Sequence, residues 1–251
     1  ERRILAARVF EDVQKALQEA TPGYTDFLDP GERQDLLEKL RLIPGLRVLS
    51  YGGYKDAERQ RLVLIPEYYF VEMVDPKIAA LEAKIIAPKS MEEELSHRNF
   101  LGSLMHLGLK RDKFGDLWLI PSGCQVVAVE EVASFVAENW KEVHKYRIQV
   151  EVIDLERLQF STQKCKVVTA TVPSLRLDAV ASTGFSLSRT KMVQEIKAGK
   201  VKVNWRVVTN PDYKVGEGNT ISMRGRGRVV LTRTGGVTKK GRLFLTFERY
   251  M

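Results

Sequence analysis

The most constraining stretch of this chain runs from Leu175 to Met223, where the spacing of apolar residues changes from helical to alternating across glycine-marked breaks. The spacing predicts a short helix opening at Leu175-Arg176-Leu177-Asp178-Ala179-Val180-Ala181 and closed by Gly184 as a left-handed cap. Ser188 is suited to cap a second helix by accepting a backbone N–H, and Gly199 to end it, which leaves Arg189 to Ala198 as about three turns. Met192, Val193 and Ile196 make the stripe that this helix can bury. At about 100° per residue, Thr190, Lys191, Gln194 and Lys197 share the opposite face, two cations and two hydrogen-bonding side chains able to meet phosphates and sugars. Arg189 lies off that face and reaches outward from the first turn. Lys200-Val201-Lys202-Val203-Asn204 then alternates as a strand, Lys and Asn on one side and Val on the other, and the alternation continues through Val207 and Val208. A loop at Asn210-Pro211-Asp212 leads through Val215, Gly216 and Gly218 to a strand at Thr220–Met223. Two helices on a small curled sheet are expected.

Charge singles out the same region. Residues 174–251 hold 16 Lys and Arg against 5 Asp and Glu, whereas the preceding 173 residues hold 24 against 27, so the net +8 belongs to one domain. A local polyanion site explains that imbalance better than general solubility does. Arg224-Gly225-Arg226-Gly227-Arg228 extends the basic set, its small residues letting a phosphate chain approach guanidiniums that offer paired donors.

The remainder reads as α+β. Residues 1–74 form a small α/β domain: a helix from Ile4 to Glu19, a second through Gln34, Leu36, Leu37 and Leu40, and strands at Leu46–Tyr51 and Arg61–Ile65 flanking Gly52-Gly53. Residues 75–153 follow a βαββαβ order, with strands at Ile78–Ile86, Asp116–Ile120, Gln125–Val129 and Tyr146–Ile153 and helices at Ser96–Leu107 and Glu130–Trp140. This order gives the ferredoxin-like sheet shared by many RNA-recognition modules. The strand Gln125–Val129 carries no aromatic residue, which argues against base stacking there. Residues 154–174 read as a linker with one possible strand, and 175–251 as the basic domain.

Arg176-Leu177-Asp178, Gly184, Ser188-Arg189, Ile196, Gly199, Val201-x-Val203-Asn204, Val215 and Gly218 together resemble the alpha-L RNA-binding motif, also called the S-four domain. The resemblance implies that Arg176, Ser188, Arg189, Lys191, Gln194, Lys197, Lys202 and Asn204 contribute to the RNA-binding face. Trp205 and Asn219 depart from the usual motif, where Gly and Asp stand. Thr25 to Pro30, Gly52-Gly53-Tyr54, Ala57-Glu58-Arg59, Pro66-Glu67-Tyr68-Tyr69, Ser96-His97-Arg98 with Leu101-Gly102, and the Arg224–Arg228 run extend the likeness to the YlmH family, in particular its cyanobacterial and plastid branch, labelled photosystem II S-four-domain proteins. What this implies is a partner of ribosomal RNA or a tRNA-bearing large ribosomal subunit, met by a monomer in the cytoplasm, or in the plastid stroma for a plastid-bearing organism.

No catalytic signature competes. Cys124 and Cys165 lack a second ligand at zinc spacing and read as buried thiols, and His97, His106 and His144 are scattered. Apolar runs such as Val126–Val129 are far shorter than the roughly 20 residues of a membrane span. A non-enzyme with no cofactor, metal or small-molecule substrate is expected. Two rivals remain: Arg176-Leu177-Asp178 before Ser182-Thr183-Gly184 loosely resembles the catalytic segment of pseudouridine synthases, and Asp29, Glu58, Arg59, Tyr68 and Tyr69 could form an adaptor surface for a protein partner. Asp178 lies inside the module with fewer than 80 residues after it, too few for the catalytic domain of such synthases, so it is grouped with the RNA-binding set as a structural member.

Overall fold

A computed structural model describes residues 2–86, 95–159 and 165–250, and the chain divides into two compact units, Glu1–Ser161 and Thr162–Met251. The first unit opens with α1 (Arg2–Glu19), β1 (Gly23–Tyr24), α2 (Pro30–Leu40), β2 (Leu46–Tyr51) and β3 (Arg61–Pro66). Helix α2 starts where it does because Asp29 accepts from Glu32 N at 2.8 Å while Glu32 accepts from Asp29 N at 2.9 Å, and Pro30 needs no intrahelical donor at the first position. β2 and β3 pair antiparallel from Leu46↔Pro66 to Tyr51↔Arg61, with β1 on the other side of β3. Val9 and Val13 of α1 and Leu36 and Leu40 of α2 bury against Leu62 and Leu64, covering one face of this small sheet.

The same unit continues with β4 (Ile78–Ile85), α3 (His97–Met105), β5 (Phe114–Ile120), β6 (Gly123–Val129), α4 (Glu130–Asn139), β7 (Glu142–Val143) and β8 (Tyr146–Ile153). The order β5-β6-β4-β8, all antiparallel with β7 added outside β8, is the ferredoxin-like sheet expected from the βαββαβ pattern. Phe100 and Leu104 of α3 and Val136 of α4 meet Leu81, Ala83 and Val126 on one face. Cys124 is fully buried in that core, and burial pushes its thiol pKa up, which keeps it unreactive.

The opposite face, which stacks bases in RNA-reading sheets, is filled from within the chain. Ala80, Val127, Val129 and Ile153 bury against Phe27 and Leu158. Gln125, also buried, donates to Glu82 at 2.6 Å and accepts from Gln159 N at 2.7 Å. The centre of this face therefore has no room for bases.

Asp116 joins the first three strands to the central sheet. Its carboxylate accepts from Tyr54 Oη at 2.7 Å, Glu58 N at 2.7 Å and Arg59 N at 3.1 Å. Arg59 donates in turn to the carbonyls of Phe114 and Phe27 at 3.2 and 2.9 Å. Of the residues weighed as an adaptor surface, Asp29 and Arg59 are thus occupied in structural contacts, while Tyr68 is 63% exposed beside the exposed Phe70 and Met73.

The second unit contains β9 (Cys165–Val172), α5 (Leu177–Gly184), α6 (Arg189–Lys197), β10 (Val201–Val203), β11 (Arg206–Val207), β12 (Thr220–Met223), β13 (Gly227–Val237) and β14 (Leu243–Tyr250). Its antiparallel sheet runs β11-β10-β12-β13-β14-β9. The stretch 154–174 contributes β9, which pairs with β14 from Val172↔Leu243 to Cys165↔Tyr250; Phe160 to Lys164 and the side chain of Cys165 lie outside the described residues. Leu177, Val180, Met192 and Ile196 from the two helices bury against Val201, Val203, Ile221, Val229 and Phe247 from the sheet.

Two local expectations are corrected. Gly184 is not a left-handed cap: the residue at positive φ is Ser186 (φ 54), and Gly184 is needed because a Cβ there would sit 3.0 Å from Val229 Cγ2. The alternation after Val203 does not continue as one strand, because Asn204 (φ 46) and Trp205 (φ 61) reverse the chain into the β10–β11 hairpin and leave Val207 55% exposed.

Removing the Asp116 carboxylate strands two backbone N–H groups and a hydroxyl. Asp116→Ala should lower unfolding free energy by about 2–4 kcal/mol in urea titrations; an unchanged midpoint would contradict the joint described for this residue.

Candidate nucleic-acid interface

Helix α6 begins where Ser188 Oγ accepts from Lys191 N at 3.3 Å and ends at Gly199, whose φ of +70° suits a left-handed terminator. With Met192 and Ile196 buried, Thr190, Lys191, Gln194 and Lys197 are all exposed, as the helical azimuths require. The β12–β13 hairpin, tightened by positive φ at Gly225 and Gly227 (both +80°), carries Arg224 and Arg226. Arg224 N donates to Lys200 O at 3.2 Å, which ties the hairpin to the segment after α6.

These contacts bring Lys191, Lys200, Arg224 and Arg226 around one shallow groove whose single carboxylate is Glu195. Lys200 holds Glu195 below the ordinary carboxylate range through a 2.8 Å ion pair, helped by the nearby charges of Lys191 and Arg226. Lys191, Arg224 and Arg226 form no ion pair among the described residues, so the groove carries an uncompensated positive charge.

A second row of polar residues crosses the sheet on the face away from the helices. Lys202↔Ser222, Ser222↔Arg228 and Arg228↔Tyr250 are successive cross-strand partners, and the Arg228 guanidinium lies 4.7 Å from the Tyr250 ring centroid. Ser222 and Tyr250 were not among the residues expected from sequence, because cross-strand register is set by pairings that no local pattern reports.

The other expected residues sit apart. Asp178 is 2% exposed, and its carboxylate accepts from Arg176 Nε at 3.1 Å, Arg189 Nε at 2.8 Å and its neighbour Ala179 N at 2.9 Å. Arg176 also pairs with Asp212. Burial pushes the Asp178 pKa up, but the hydrogen bonds and charges of Arg189 and Arg176 outweigh burial and hold it below the usual carboxylate value. Asn204, in the β10–β11 turn, ties that turn to the start of β12 by accepting from Thr220 N at 2.9 Å. The neighbouring Trp205 holds a left-handed conformation that costs a non-glycine residue about 1 kcal/mol, at the position where the motif has Gly. Asn219, where the motif has Asp, accepts from Gly216 N at 2.9 Å and so does the turn-closing work of a carboxylate.

Two short helices on a curled antiparallel sheet, with lysines on the outer face of the second helix and arginines on the adjoining hairpin, define an RNA-binding domain of the S4 type. Residues 175–221 match the family described as S4 domain, residues 80–157 that described as putative RNA-binding domain in YlmH, and residues 1–69 that described as YlmH, N-terminal. Over 225 residues the chain is 40% identical to the "Ribosome-associated protein quality control protein P2" of Bacillus subtilis (strain 168), a match covering 90% of this chain and 86% of that protein. The chain belongs to the YlmH family. In fold it is also similar to the "Cell division protein ylmH from Streptococcus pneumoniae", with a TM-score of 0.51 and 20% identity over 62% of this chain and 94% of that one. These matches carry the family.

Because the folded pKa of Asp178 lies below its unfolded value, its stabilisation is complete above about pH 4 and is lost as pH falls through the folded pKa. Asp178→Asn should cost about 1–2 kcal/mol at neutral pH, because the half-exposed guanidiniums of Arg176 and Arg189 lose their carboxylate but regain water, and should flatten the acid limb of the stability curve. Equal stability of variant and parent from about pH 2 to about pH 7, a span that brackets carboxylate titration, would refute this role.

Proposed function

We propose that this protein is a non-catalytic binder of structured ribosomal RNA, gripping the phosphodiester backbone of the large subunit through the outer face of α6, the adjoining strand β10 and the β12–β13 hairpin. The observation that carries this is the groove in which Lys191, Lys200, Arg224 and Arg226 face a single carboxylate. Cations in such excess over acids are unfavourable to gather unless a polyanion completes them. Lys197, Gln194 and Thr190 on the same helix, and Lys202 and Arg228 on the sheet, widen the surface beyond one phosphate. Ser188 and Asn204 act by fixing the helix start and the hairpin. Asp178 is a positioning residue that sets the direction of Arg176 and Arg189.

The ribosome-associated relative supports a ribosomal partner and a cytoplasmic place of work. A tRNA on the large subunit as neighbouring ligand is part of the same proposal and follows from the family resemblance alone. Among the described residues, no helix is long and apolar enough to cross a membrane. A pseudouridine synthase would need the Asp178 carboxylate at the RNA base; its burial between two arginines supports binding without chemistry. The binder proposed is a monomer that needs no cofactor.

Exchanging Lys191, Lys197 and Lys202 together for Gln should reduce affinity for transcribed large-subunit ribosomal RNA and lower the slope of log K against log salt by roughly 0.7–0.9 for each phosphate that is no longer neutralised. Binding and slope indistinguishable from the parent would remove this face from the interface.

A further inference from the structure

The helical side of the central domain holds two residue choices that oppose local stability, and the first meets no packing demand among the described residues. Gly102 stands in the interior of α3, where glycine costs about 1 kcal/mol relative to alanine, yet a Cβ built there meets nothing within 4 Å. Gly115 shows what an internal demand looks like, since its Cβ would fall 2.8 Å from Phe27 Cε1. His144 opens the two-residue turn between β7 and β8 at φ 56, a conformation that glycine adopts without strain.

Both residues line one groove, between α3 and the segment that follows α4. Arg98 and His106 stand with Gly102 on one wall, and Asn139, Lys141 and His144 on the other, with Glu142 as the carboxylate of the lining. Arg98 and Lys141 form no ion pair among the described residues. His106 donates from Nδ1 to the Gly102 carbonyl at 2.7 Å, which leaves the second ring nitrogen, Nε2, for a ligand. The helix surface without a side chain at Gly102 gives a ligand's main chain close approach, the cations suit phosphates, and the second ring nitrogen suits a ribose 2′-hydroxyl, which both donates and accepts.

We propose that this groove is a second RNA-backbone site, in which a sugar-phosphate strand crosses α3 at Gly102 between Arg98 and Lys141. The proposal rests on RNA being the protein's partner, as argued for the C-terminal unit, and locates contact by the central domain away from its filled sheet face. Local strain kept without an internal use is the mark of a site whose benefit appears only on binding.

The test uses the full chain and transcribed large-subunit ribosomal RNA, comparing Gly102→Ala, the pair Arg98→Gln with Lys141→Gln, and the triple lysine variant described above. Gly102→Ala should melt at or above the parent's temperature, because alanine fits the helix, and yet bind RNA roughly tenfold more weakly, about the effect of removing one charge-assisted hydrogen bond. The Arg98/Lys141 pair should lower the salt slope by about 1.5, additively with the triple variant. Ultraviolet crosslinking should place RNA on the peptides holding His106 and His144. If the triple variant weakens binding while both groove variants match the parent, the groove is overturned and the C-terminal interface stands; if only the groove variants weaken it, the groove stands and that interface falls. Gly102→Ala that loses a protein partner while keeping parental RNA affinity would also overturn the proposal.

Discussion

In the C-terminal unit, the geometry rests on one buried carboxylate shared by two guanidiniums. Asp178 lies at the start of α5, Arg176 immediately precedes that helix, and Arg189 is the first residue of α6, so their hydrogen bonds fix how the two helices begin relative to each other. Removing a guanidinium leaves the buried Asp178 carboxylate short of a partner, a cost that an exposed carboxylate would not carry. With the helix starts fixed, Met192 and Ile196 must face the sheet and the lysines of α6 must face away. The acidic residue most conspicuous in the sequence is therefore the means by which basic residues are presented.

Ion pairing divides the charges of this unit into two populations with different work. Arg176 and Arg189 are tied to Asp178, and Lys200 to Glu195, so part of their donor capacity is already used. Lys191, Arg224 and Arg226 converge without ion-pair partners among the described residues, and their field is what an approaching polyanion meets. The central domain shows a related division: its ferredoxin-like sheet uses one face for α3 and α4 and the other for Phe27, Leu158 and the Gln125–Glu82 pair. A fold shared with base-stacking modules thus does not use their surface, in line with the rule that function lives in sites and not in folds.

The elements with strong local periodicity were legible in the sequence almost to the residue. The strands read at Leu46–Tyr51, Arg61–Ile65, Tyr146–Ile153 and Thr220–Met223 fall on β2, β3, β8 and β12, and helical spacing separated the buried Met192 and Ile196 of α6 from its exposed residues. What stayed hidden depended on contacts distant in sequence. The pairing of β9 with β14 is fixed by partners such as Val172↔Leu243, which no pattern within 165–172 reports. The structural use of Gly184 depends on Val229 lying beside it. The hairpin at Asn204-Trp205 was obscured because Trp carries none of glycine's turn signal. At the candidate site, the lysines could be assigned to one helix face, whereas the capture of Arg176 and Arg189 by Asp178 and the row from Lys202 to Tyr250 required coordinates.

The central claim is that a particular set of cations in the second unit meets the RNA backbone. Lysine-selective acetylation of the protein, alone and saturated with large ribosomal subunits, measures this directly when modification is quantified residue by residue. The account predicts strong protection of Lys191, Lys197 and Lys202, with Lys39 and Lys55 labelled equally in both states; uniform labelling of the C-terminal lysines with and without ribosomal subunits would contradict it.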